Sequence, residues 1–138
     1  MKRLLTILLL ATGFALQASE PVPAAEKMVK LTVKWSFENI VDGYDHDTKT
    51  ELYVDGNLVA TSTVTKESKP NSVSADVTPG MHQDRVVNYA MYEGNWEVHS
   101  ISNNYSIDCL YEEYINCKKK KNTVVLVFDI NSGTSRKK

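Results

Sequence analysis

Apolar and polar residues alternate along much of this chain with a period of two. Leu31, Val33, Trp35 and Phe37 share one face and Thr32, Lys34, Ser36 and Glu38 the other, the pattern of a half-buried β-strand. Leu52 and Val54 continue it. Asp55-Gly56 then supplies two residues tolerant of positive φ, as a two-residue hairpin turn requires, and Leu58 to Val64 reads as the return strand. Val73, Ala75 and Val77 form a short run stopped by Pro79-Gly80. Val87, Tyr89 and Met91 share a face within Arg85 to Glu93, Gly94-Asn95 marks a turn, and Trp96 and Val98 open another strand. Asn103-Asn104 interrupts the chain before Tyr105, Ile107 and Cys109 resume the alternation. Thr123 to Ile130 is β-branched or aromatic on both faces, which suits an inner strand covered on both sides. Leu110 to Ile115 reads as one helical turn at the tip of a loop. No window beyond residue 18 sustains a helical period.

Seven or eight short strands with frequent turn signals predict a single antiparallel β-sandwich of immunoglobulin-like kind, with a small closed barrel as the alternative. Ahead of it, Lys2 and Arg3 precede an apolar run from Leu4 to Leu10, and small residues follow at Ala18 and Ser19. That is the layout of a secretory signal peptide. The run falls short of the ~20 residues of a membrane-spanning helix. The expected organisation is a signal peptide over residues 1–18, cleaved after Ala18 (Ala15 being the alternative), a flexible leader over 19–28, a sandwich domain over 29–131 and a frayed basic tail over 132–138. The protein is then secreted or periplasmic, with no membrane span. Removing Lys2 and Arg3 takes the formal charge from −1 to −3. A mildly acidic domain has no electrostatic footprint for nucleic acid.

Three short stretches carry a family likeness. Tyr53-Val-Asp-Gly56, then Leu58-Val59-Ala60-Thr61, then Thr78-Pro-Gly-Met-His82 leading into an apolar strand resembles PEGA-type repeats, small β-sandwich modules of bacterial surface proteins. Thr61-Ser62 stands where those repeats carry Thr-Pro. The resemblance implies an extracytoplasmic β-sandwich and transfers no functional residue.

The candidate chemistry is sparse. Cys109 and Cys117 are expected to pair in an oxidising compartment, with two buried free thiols as the alternative. Eight residue steps span about 26 Å in a strand, and a disulfide needs Cα atoms within about 7 Å. A pairing therefore requires residues 109–117 to double back, displaying Tyr111 and Tyr114 at the loop tip. Asp42, Asp45, Asp47 and Glu51 crowd one turn, either as a calcium site or as a solvated turn; no other cofactor is expected. Tyr92, Trp96, His99, Asn103, Asn104 and Tyr105 combine aromatic rings with amides, the ingredients of a glycan or protein contact surface, although Trp96 alternates with Val98 as a core residue would. Lys118 to Lys121 reads as a solvated loop or an anion-binding run. No nucleophile elbow, zinc-protease helix or phosphate-cradling loop occurs. The sequence points to a non-enzymatic binding or adhesion module acting through loops or a sheet face. Two rival readings remain: a disulfide-loop inhibitor and a structural subunit of a surface assembly.

Overall fold

In the computed structural model, which describes residues 19–138, the alternation becomes two sheets. The expected signal peptide, residues 1–18, lies outside the described residues, and residues 19–28 run exposed and without regular structure. The strands are β1 (Val29–Glu38), β2 (Asp47–Val54), β3 (Asn57–Thr61), β4 (Thr65–Lys66), β5 (Asn71–Val77), β6 (Gly80–Tyr92), β7 (Asn95–Val98), β8 (Leu110–Cys117), β9 (Lys121–Asp129) and β10 (Gly133–Lys137). A 3-10 turn over Ile101–Asn103 is the one helical piece among the described residues.

One sheet has the order β10-β9-β1-β5 and the other β3-β2-β6-β7, with β4 added to β2 and β8 to β6. The sheets do not close into a barrel. They enclose one core: Leu31, Val33, Trp35 and Phe37 of β1 and Val124, Leu126 and Phe128 of β9 on one side, Leu52, Val54, Val86 and Ile115 on the other. Each such side chain contributes about 1.5–3 kcal/mol on burial. The alternation exists for this reason, since the opposite face of β1 stays in water.

Four expectations require correction. The sandwich has ten strands and is not wholly antiparallel, because β1 and β9 run parallel from Lys30↔Lys121 to Glu38↔Asp129. Alternation dictates which face a residue takes but not its strand's direction. Leu110 to Ile115 is no helical turn: it lies in β8, paired antiparallel with β6 from Val87↔Leu110 to Gly80↔Cys117. The strand keeps Cys109 and Cys117 apart as two buried free thiols, so no disulfide loop exists and the inhibitor reading built on it falls. The basic tail is not frayed. Residues Gly133–Lys137 pair with β9, and Arg136 reaches across the open side of the sandwich to ion-pair with Glu113 of β8. Thr134 Oγ1 donates to Asp108 O at 2.6 Å beside it.

Two tight turns need left-handed backbone. Asp55-Gly56 (φ 51° and 82°) and Glu93-Gly94 (φ 47° and 82°) join β2 to β3 and β6 to β7. Asp55 does more than turn. Its carboxylate accepts from His82 Nδ1 at 2.6 Å and from Gln83 N at 2.9 Å, which brings together the Asp-Gly and Pro-Gly-x-His stretches noted in the sequence.

Candidate functional site

The middle of β6 organises one end of the molecule. β8 pairs with β6 as far as Val87 and β7 pairs from Tyr89 onward, leaving Asn88 between them. Asn88 N donates to Cys109 O at 3.0 Å, and Asn88 O accepts from His99 N at 2.9 Å. Cys109 N in turn donates to His99 O at 2.8 Å. The chain therefore leaves the sheet edge at His99 and returns at Cys109, and the loop between them is tied off at its base.

That loop is bonded to itself. Asn103 N and Tyr105 N donate to Ser100 O at 3.0 and 3.1 Å, and Asn104 N donates to Ile101 O at 3.0 Å. Asp108 Oδ1 accepts from Ile101 N, and Asn103 Nδ2 donates to Val98 O at 2.8 Å. Asn104 takes the left-handed conformation (φ 66°), which asparagine tolerates better than most residues. A loop ordered in advance loses less entropy on binding.

The opposing wall comes from two further loops. Asp45 accepts from Ser68 N at 2.9 Å and from Ser68 Oγ at 2.7 Å, and Glu67 N donates to His46 O at 3.0 Å. Those serine bonds, then Lys66 and Lys69, hold the Asp45 carboxyl below its ordinary range. This clip draws Glu67 inward, where it is only 2 % exposed. It also engages the acidic turn that the sequence offered as either a calcium site or a solvated turn. Asp45 is occupied with Ser68, Asp47 pairs with Lys66 and Glu51 accepts from Tyr53, and among the described residues no three of His, Cys, Asp and Glu converge as a metal would require.

Between these loops lies a cleft of about 480 Å³. Tyr44, His46, Glu67, Tyr92, Glu97 and Tyr105 line it, together with His99, Asn103 and Asn104. Its rim is apolar and open to water: Val41, Tyr44 and Tyr92 are 57 %, 64 % and 50 % exposed. Aromatic rings run from this rim to the core. Centroids are 6.4 Å apart for Tyr44 and His46, 5.6 Å for His46 and Tyr105, 4.3 Å for Tyr105 and His99, and 5.7 Å for His99 and Phe37.

At the floor, His99 Nε2 stands 3.2 Å from Glu67 Oε1, an ion-pair distance without hydrogen-bond alignment, so that Oε1 has no hydrogen-bond partner. The Tyr105 hydroxyl faces the Glu97 carboxylate without a well-aligned hydrogen bond. Burial, then the Glu97 and Glu67 charges, pushes that hydroxyl up to about 12, so it remains a donor at neutral pH. On the far side of the imidazole, His99 Nδ1 lies 3.1 Å from Cys109 Sγ. Thiol, imidazole and carboxylate thus stand in the order of a nucleophilic triad. Cys109 is nevertheless fully buried and does not line the cleft, and burial pushes its thiol well above the usual range. Such burial disfavours the thiolate that a nucleophile needs.

Of the eight aromatic and amide residues singled out in the sequence, the structure brings Tyr92, His99, Asn103, Asn104 and Tyr105 to this cleft. Trp96 belongs neither to the cleft nor to the core; it lies under Lys49, whose Nζ is 4.9 Å from its ring. Tyr111 packs against the core and donates to Glu113, while Tyr114 is 66 % exposed on β8. Sequence reasoning missed Glu67, which sits among Lys66, Ser68 and Lys69 and looks solvated. Glu97 was legible in the sequence as the carboxylate within the Tyr92 to His99 stretch.

No family model matches the chain, and no curated protein matches it either. Among the described residues no helix is long and apolar enough to cross a membrane.

Proposed function

We propose that this protein is an exported, non-enzymatic binding module, immunoglobulin-like or PEGA-like in type, that takes a glycan or a protein segment into the cleft at the loop end of its sandwich. The observation that carries this reading is the cleft itself: an apolar, tyrosine-rich rim above a floor where the buried Glu67 Oε1 lacks a hydrogen-bond partner. Buried polar groups cost free energy unless they are satisfied, so a floor left unsatisfied in the free protein suits a ligand that satisfies it. The self-bonded loop from His99 to Cys109 supplies the preorganisation. Export rests on the charged, apolar and small-residue order of the first nineteen residues.

A glycan array and a peptide array probed with the purified domain and its Tyr92→Ala variant test this reading. Binding by the wild type that the variant loses supports it; equal binding by both, or none by the wild type, contradicts it. For export, protein recovered from a secreting host should begin between Ala15 and Ala25 by intact mass, and recovery of all 138 residues would overturn that part.

One observation favours a second reading. The edge strand β3 exposes Leu58 (52 %) and Val59 (40 %), an apolar edge that a structural subunit could complete with a partner's strand. Concentration-dependent self-association abolished by Leu58→Lys would support it over the cleft.

A further inference from the structure

We infer that the cleft is built for a primary alkylammonium group, as found at the end of a lysine side chain or in a free amine. This deepens the binding-module reading and rests on it. The walls carry two carboxylates, Glu67 and Glu97, two imidazoles, His46 and His99, and no lysine or arginine. Glu67 is 2 % exposed, and its Oε1 accepts no hydrogen bond although His99 Nε2 stands 3.2 Å away. A buried carboxylate short of a donor favours a cation that brings N–H groups of its own. The tyrosine rings add the second element. Tyr44, Tyr92 and Tyr105 line the same space, and an ammonium within about 6 Å of such a ring face is attracted by its quadrupole.

The two elements together separate ligand classes. A quaternary ammonium would satisfy the rings but brings no N–H to Glu67. An anionic ligand would face both carboxylates with no lysine or arginine to meet it. A neutral polyol would meet the carboxylates with hydroxyls and forgo the cation–π attraction. A primary ammonium on an apolar chain uses all three features, its head toward Glu67 and its methylenes against the exposed rim of Val41 and Tyr44.

The test is a two-dimensional amide and aromatic NMR titration of the domain with n-butylammonium, tetramethylammonium, n-butanol and methyl glucoside, each added separately. The expected result is saturable shifts confined to Tyr44, His46, Tyr92 and Tyr105 with butylammonium, and at least about tenfold weaker binding of tetramethylammonium and butanol. Glu67→Gln keeps the side-chain shape and should weaken butylammonium by at least about tenfold. Because a buried substitution carries a folding risk, Glu97→Gln at the more open wall and Tyr92→Leu on the rim should each weaken it as well. Butanol binding as tightly as butylammonium, or affinity unchanged in all three variants, overturns the inference. Shifts with methyl glucoside alone overturn it while leaving the cleft a binding site. Silence from all four probes overturns it, and the array comparison then decides the broader reading by itself. An acetylated, amidated lysine run alongside distinguishes the sources. Tighter binding than butylammonium points to a lysine within a protein partner, and equal binding to a free amine.

Discussion

Asp84 is a carboxylate buried on β6, and stability should record it as a pH dependence of definite sign. It lies on the inward face of β6, 1 % exposed, and neither of its oxygens has a hydrogen-bond partner. Burial raises its pKa from 3.8 to about 6, opposed in part by His82 and reinforced by the Asp55 and Glu113 charges. A carboxyl whose folded pKa is raised contributes stability that is fully present below its unfolded value and is lost as pH rises through the folded one. Here the loss runs from about pH 4 to about pH 6, and about two pKa units at about 1.4 kcal/mol each make about 3 kcal/mol. Asp84→Asn cannot ionise. Its stability relative to the wild type should therefore climb by about 3 kcal/mol between pH 3.5 and pH 7, whatever constant cost the amide carries. Urea unfolding of both proteins across that range reads the difference, which includes the change in His82, a group whose pKa the Asp84 charge helps to raise. A relative stability flat to within about 0.5 kcal/mol would refute the reasoning, because Asp84 would then be hydrated or paired.

Three further outcomes are expected. Phe128→Ala, at a fully buried position with its ring tilted against Phe37 at 5.0 Å, should cost about 3–5 kcal/mol by denaturant unfolding; a loss below about 1 kcal/mol would place the ring outside the core. Native protein should resist thiol alkylation and, once unfolded without reductant, take up two labels, one each on Cys109 and Cys117; an intact mass showing them joined would contradict the extended β8. Arg136→Ala removes a partly exposed ion pair and should cost about 1 kcal/mol or less, whereas truncation after residue 132 removes β10 and should cost more. Equal losses would mean that the strand contributes nothing beyond its arginine.

Much of the strand pattern was legible in the sequence because it follows from burial on one face. The alternation of β1 and the Asp55-Gly56 turn state their structural roles locally. β8 did not, because Glu112-Glu113 disguises a period of two. Glu113 points inward with Tyr111 and Ile115, and what makes that tolerable is Arg136, twenty-three residues away. The parallel pairing of β1 with β9 was hidden for a related reason, since a strand's own residues do not name its partner. The candidate site divides the same way. Its aromatic and amide residues cluster in sequence between Tyr92 and Tyr105 and could be suspected there. Glu67 could not, since its burial depends on Asp45 holding Ser68 from another loop.

The claim that the loop-end cleft is where this molecule meets its ligand is tested most directly by mapping where small probes settle on it. In an amide NMR screen of the domain against a fragment set spanning amines, sugars and aromatic acids, perturbed residues should concentrate in segments 40–46, 67–68 and 92–106, around the residues that line the cleft. They should fade when Tyr44 and Tyr92 are both replaced by Ala. Perturbations gathered along β3, or unchanged by that double substitution, would contradict the account and move the binding surface to the sheet edge.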